Sequence, residues 1–93
     1  MEIVLATLNA RYTHSSIGLR YLFANLNELQ SRAEIKEFCL KNNSHEIAEE
    51  ILSVNPKIVG FGIYIWNASE TAKVINIIKK VAPDTIVIIG GPE

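Results

Sequence analysis

Ile58-Val59-Gly60-Phe61-Gly62-Ile63-Tyr64-Ile65 is the stretch whose reading decides the fold. It is rich in β-branched and aromatic residues and follows the breaker Asn55-Pro56, which marks it as a strand. Beyond it, Val74, Ile75, Ile78 and Val81 recur at helical spacing, and Asn67 and Glu70 stand three apart as a capping box does. Pro83-Asp84 turns the chain, and Thr85 to Ile89 is a second strand, almost wholly β-branched. A strand, a helix and another strand within about 30 residues form a βαβ unit, whose strands run parallel with a right-handed crossover.

The same alternation extends towards the amino terminus. Asn43 and Glu46 repeat the capping spacing, and Ile47, Ala48, Ile51 and Leu52 line one face of a helix that Asn55-Pro56 ends. Glu34 to Leu40 is a strand with Ile35, Phe38 and Leu40 apolar, and its charges suit an edge. Leu19, Leu22, Phe23, Leu26 and Leu29 predict a further helix, with Ser15 or Ser16 as its cap. Ile3 to Leu8 is a nearly continuous apolar run, as expected of a strand covered on both faces. The order β-α-β-α-β-α-β predicts a Rossmann-like or flavodoxin-like α/β domain of three layers. Its parallel sheet has strand order 2-1-3-4, with helices near residues 16–30, 44–54 and 68–82. Residues 1–93 read as the amino-terminal part of one such domain. The fourth strand would otherwise be a bare hydrophobic edge, so the chain is expected to be a truncated piece of a longer protein.

Composition narrows the function classes. Nine basic and ten acidic residues nearly cancel and form no patch, so neither nucleic acid nor an anionic membrane is an expected partner. No apolar run approaches the roughly 20 residues of a membrane span. A lone cysteine, Cys39, makes no internal disulfide and holds no zinc or iron–sulfur cluster by itself. With an acid at position 2 and no basic segment before the first apolar run, the expected location is cytoplasmic.

In open α/β sheets the ligand lies beyond the carboxyl ends of the strands, at the switch in strand order. For order 2-1-3-4 that switch is between strands one and three. The first loop, with Asn9, Arg11, Tyr12, Thr13, His14, Ser15 and Ser16, is longer than the usual two to six or so residues and opens a helix, where anionic or amide-bearing ligands are held. Gly60 and Gly62 in the third strand allow close approach of a ligand or of packing side chains. Tyr64 and Trp66 line a pocket or complete the core, and Gly90-Gly91 suits a turn or a ligand lying on the backbone. His45 reads as solvated surface, and Cys39 as a small core or edge residue. No G-x-G-x-x-G follows the first strand, no P-loop is present, and Leu8-Asn9 and Trp66-Asn67 lack the acids of a phosphorelay receiver.

Three segments carry a family resemblance. They are Ile3 to Leu22, Val59 to Asn67, and Ile88-Ile89-Gly90-Gly91-Pro92-Glu93. Together they resemble the start of cobalamin-binding radical S-adenosylmethionine proteins, a set that includes relatives of the anaerobic oxidative cyclase of magnesium-protoporphyrin monomethyl ester. The resemblance implies a Rossmann-like domain that holds a corrinoid, followed by a barrel holding a [4Fe-4S] cluster and S-adenosylmethionine. It also implies no catalytic residue within this chain. The cofactor would lie against Asn9, Thr13, His14, Ser15, Ser16, Gly62, Tyr64, Trp66, Asn67, Gly90 and Gly91. The best-known corrinoid motif of such domains is Asp-x-His-x-x-Gly. Here Tyr12 replaces the Asp and Gly18 comes one residue late after His14. Gly62 and Tyr64 stand in place of a serine and a leucine, and only Gly90-Gly91 agrees outright. Without the Asp, His14 lacks the partner that would orient it as a cobalt ligand. Three readings stay open: a corrinoid-binding module, a domain that only packs against the barrel, and a flavodoxin-like small-molecule sensor.

Overall fold

A computed structural model describes residues 2–9, 17–39, 42–63 and 67–90, with the backbone alone for residues 9, 17–19 and 21. Its elements are β1 (Ile3–Asn9), α1 (Ile17–Ala24), a 3-10 helix (Asn27–Arg32), β2 (Ala33–Cys39), α2 (Ser44–Leu52), β3 (Ile58–Gly62), α3 (Ala68–Val81) and β4 (Ile86–Gly90). The four strands form one parallel sheet in the order β2-β1-β3-β4, as the alternation predicts. Among the described residues no helix is long and apolar enough to cross a membrane.

One face of the sheet carries the main core. Val4, Ala6 and Leu8 of β1, Phe38 of β2, and Val59 and Phe61 of β3 meet Ile47, Ala48 and Ile51 of α2 and Val74 and Ile78 of α3. Burying each of these side chains other than the alanines is worth about 1.5–3 kcal/mol, most of it offset by the entropy of ordering the chain. The opposite face is covered on the β2 side by α1, whose Arg20 pairs with Glu37 at 3.3 Å. Cys39 is buried on β2 at the sheet edge, and His45 is exposed.

The structure departs from the expected elements in several places. The helix expected over 16–30 stops at Ala24, because Asn27 adopts a left-handed backbone with φ 54° and the chain continues as a 3-10 helix. Asparagine tolerates that region well, so the break is local in origin. Leu22 and Leu29, expected on the helix's apolar face, are 48% and 40% exposed. The third strand, expected to reach Ile65, ends at Gly62, and residues 64–66 lie outside the described residues, as does Leu40. Asn43 caps α2 as expected, its side chain accepting from the His45 backbone N–H at 2.8 Å. Asn67 stands at the cap position of α3 but makes no side-chain cap bond.

Candidate functional site

The amino edge of the sheet is tied by backbone bonds. Lys57 and Ile58 N–H donate to Glu2 O at 2.8 and 3.0 Å, and Ile86 N–H donates to Lys57 O at 2.9 Å. The Thr85 hydroxyl adds a bond to Pro56 O at 3.3 Å, and Lys79 Nζ donates to Pro83 O and Thr85 O. These bonds leave the carboxyl edge as the place for a ligand, which is where the switch in strand order lies.

The parallel register puts Glu37, Thr7, Gly62 and Gly90 in one row across all four strands at that edge. Side chains in such a row share a face, here the one turned away from α2 and α3. The row one step towards the amino edge is Ile35, Leu5, Gly60 and Ile88. Two adjacent glycines at the ends of β3 and β4 therefore leave a stretch of backbone without side chains. A Cβ built at Gly90 meets no atom of the described residues within 4 Å. At Gly60 the same atom would sit 3.2 Å from Leu5 Cδ2, so that glycine serves packing between β3 and β1.

Two buried polar side chains hold the switch point together. The Thr7 hydroxyl, fully buried, donates to Gly62 O at 3.3 Å. Asn67, also fully buried, donates through Nδ2 to Leu8 O at 3.0 Å and to Gly62 O at 3.2 Å. Leu8 and Gly62 lie at the carboxyl ends of the two central strands, where the chains part and the ladder ends. The amide gives both carbonyls a side-chain donor.

Of the residues expected to bind a ligand, Gly62, Gly90 and Asn67 are brought to this edge, together with Asn9 at the last position of β1. Thr13, His14, Ser15, Ser16, Tyr64, Trp66 and Gly91 lie outside the described residues. Thr7 was not singled out from the sequence. Its only signal was one hydroxyl in an otherwise apolar run from Ile3 to Leu8, where β-branched shape alone suffices to explain a threonine. Among the described residues no group of three His, Cys, Asp or Glu side chains could hold a metal ion.

A model of the B12-binding domain matches residues 3–93. The chain belongs to the B12-binding domain family. No curated protein matches it. In this B12-binding domain the register partners Gly62 and Gly90 leave backbone without side chains at the carboxyl edge, and among the described residues nothing lies within 4 Å of a Cβ built at Gly90, which leaves room for a large cofactor such as a corrinoid.

Proposed function

We propose that this B12-binding domain is the corrinoid-holding module of a radical S-adenosylmethionine enzyme. The observation that carries the corrinoid reading is the register pair Gly62–Gly90 beside buried Thr7, with no described residue within 4 Å of a Cβ at Gly90. Gly62, Gly90 and Gly91 would form the floor of the site. Tyr64 and Trp66 would add apolar area, and Asn9, Thr13, Ser15 and Ser16 hydrogen bonds, the usual mixture in a cofactor cleft. A corrinoid supplies cobalt-centred methyl or radical chemistry when bound. This chain's own part is to bind and orient the cofactor; the reaction belongs to a barrel following in the same protein, which would carry the [4Fe-4S] cluster and S-adenosylmethionine. That association, and an oxidative cyclase-like or methyltransferase-like role, rest on the three resembling segments. A Cys-x-x-x-Cys-x-x-Cys motif in the parent gene downstream of residue 93 would support them, and its absence would remove them.

A second reading is favoured by Tyr12 and Gly18, which depart from the corrinoid motif: the domain packs against the barrel without binding the cofactor. Titration of hydroxocobalamin, followed in the visible spectrum, separates the two. Wild type should bind. Gly90→Trp should lose binding because the indole occupies the floor, and far-UV circular dichroism should show the fold retained, since no described residue lies within 4 Å of a Cβ at that position. His14→Ala should bind with a changed spectrum if the imidazole ligates cobalt, and with an unchanged one if it does not. Failure of wild type to bind at high micromolar concentration favours the packing reading.

A further inference from the structure

We infer that Asn67 is a positioning residue for the corrinoid site: it clamps the carboxyl ends of β1 and β3 at a fixed spacing and does not itself contact the ligand. The inference rests on the corrinoid reading for its purpose, and on the geometry for the clamp. A primary amide has two N–H donors. Those of Asn67 go to Leu8 O and Gly62 O, carbonyls on the two strands that flank the switch. The side chain is fully buried, so its amide nitrogen has neither a free hydrogen nor an open surface to offer a ligand.

The clamp holds a place that matters for the floor. Gly62 is bound from both sides, by Asn67 from α3 and by Thr7 from β1, and is the register partner of Gly90. Ile63 N–H then closes onto Gly90 O at 2.7 Å. Leu8 O, the other acceptor, precedes the loop that contains His14. One amide at the start of α3 thus couples three things: the carboxyl end of β1, the glycine floor, and the docking of α3. Removing it leaves two carbonyls without that donor and lets the strand ends separate. A site built for a rigid ligand binds more weakly when its walls must be ordered on binding.

The test compares Asn67→Asp, which keeps shape but has no amide donors, and Asn67→Ala with Ile78→Ala. Ile78 lies three turns further along α3, about 16 Å away, and its truncation destabilises the core without touching the edge. Backbone hydrogen exchange is measured for Ile63 at the carboxyl edge and for Lys57, Ile58 and Ile86 at the amino edge, and hydroxocobalamin affinity is measured on the same samples. Both Asn67 variants should speed exchange at Ile63 selectively and weaken cobalamin binding by about tenfold or more. Ile78→Ala, at a matched loss of melting temperature, should do neither. If Asn67→Asp, whose carboxylate would face two carbonyl oxygens in a buried site, does not fold, Asn67→Ala alone carries the comparison. Unchanged exchange at Ile63, or equal loss of binding in Ile78→Ala, overturns the inference. If wild type binds no cobalamin, the corrinoid reading falls and the role in that site falls with it; exchange at Ile63 then decides the clamp independently.

Discussion

Thr71 stands one turn beyond Asn67 on the same inward stripe of α3, and the two buried polar groups fare differently. Asn67 reaches carbonyls at the carboxyl ends of β1 and β3. Thr71 lies deeper, is fully buried, and its hydroxyl has no hydrogen-bond partner among the described residues. An unsatisfied buried hydroxyl costs about 1–3 kcal/mol of desolvation. Thr71→Val keeps the shape and removes the hydroxyl, so it should stabilise the domain by about 1 kcal/mol, which raises the melting temperature by about 4–8 °C in a domain of this size. A lower melting temperature would show that the hydroxyl is satisfied in solution. Glycines divide in a similar way at this scale. Gly60 is small because Leu5 lies against it, whereas no described residue comes within 4 Å of a Cβ at Gly90, and only the second kind of glycine offers room to a ligand.

At the scale of elements, the two asparagines with positive φ decide where helices stop. Asn55, at φ 51°, follows α2, and its N–H donates to Leu52 O at 3.0 Å before Pro56 forbids continuation. Asn27, at φ 54°, separates α1 from the 3-10 helix. A left-handed backbone costs an ordinary residue about 1–2 kcal/mol and glycine nothing. Asn55→Ala should therefore destabilise the domain by about 1 kcal/mol, while Asn55→Gly should leave it unchanged or slightly more stable. Urea unfolding at constant slope measures both, and an alanine variant as stable as wild type would remove the account. The Asn55-Pro56 stop was visible in the sequence because proline is an unambiguous breaker. The Asn27 break was not, because Leu26 and Leu29 keep the helical spacing through it and asparagine is only a weak breaker.

Across the whole molecule, the two edges of the sheet are protected unequally. The edge strand β2 carries Glu34, Lys36 and Glu37, with Glu37 paired to Arg20. The other edge, β4, is Ile86-Val87-Ile88-Ile89-Gly90, and its three isoleucines are 56–60% exposed. An uncharged apolar edge strand is a template for pairing with another chain. The 93-residue chain on its own should self-associate at high micromolar concentration, and Ile88→Lys should suppress this in sedimentation velocity while leaving the melting temperature within a few degrees. Equal association of the variant would place the contact elsewhere.

Residue order alone determined that this chain alternates strands and helices and that its sheet is parallel, and it pointed to the carboxyl ends of the strands as the edge where a ligand is expected. These follow from local periodicity and from the handedness of the crossovers, which every stretch of chain carries within itself. The same periodicity placed Ile47, Ile51, Val74 and Ile78 on inward faces, and all four are buried; Val81, expected on the same face of α3, is instead 68% exposed at the last position of the helix. Tertiary structure decided the partners. Thr7 bonds a residue 55 positions away and Asn67 one 59 positions away. Asn67 had the spacing of a helix cap, and only the docking of α3 against the ends of β1 and β3 turned its amide to the strands instead. Spacing along the chain reports a residue's own face of its own element. Which carbonyl that face meets depends on the register between strands distant in sequence, and that register is settled by packing the whole sheet.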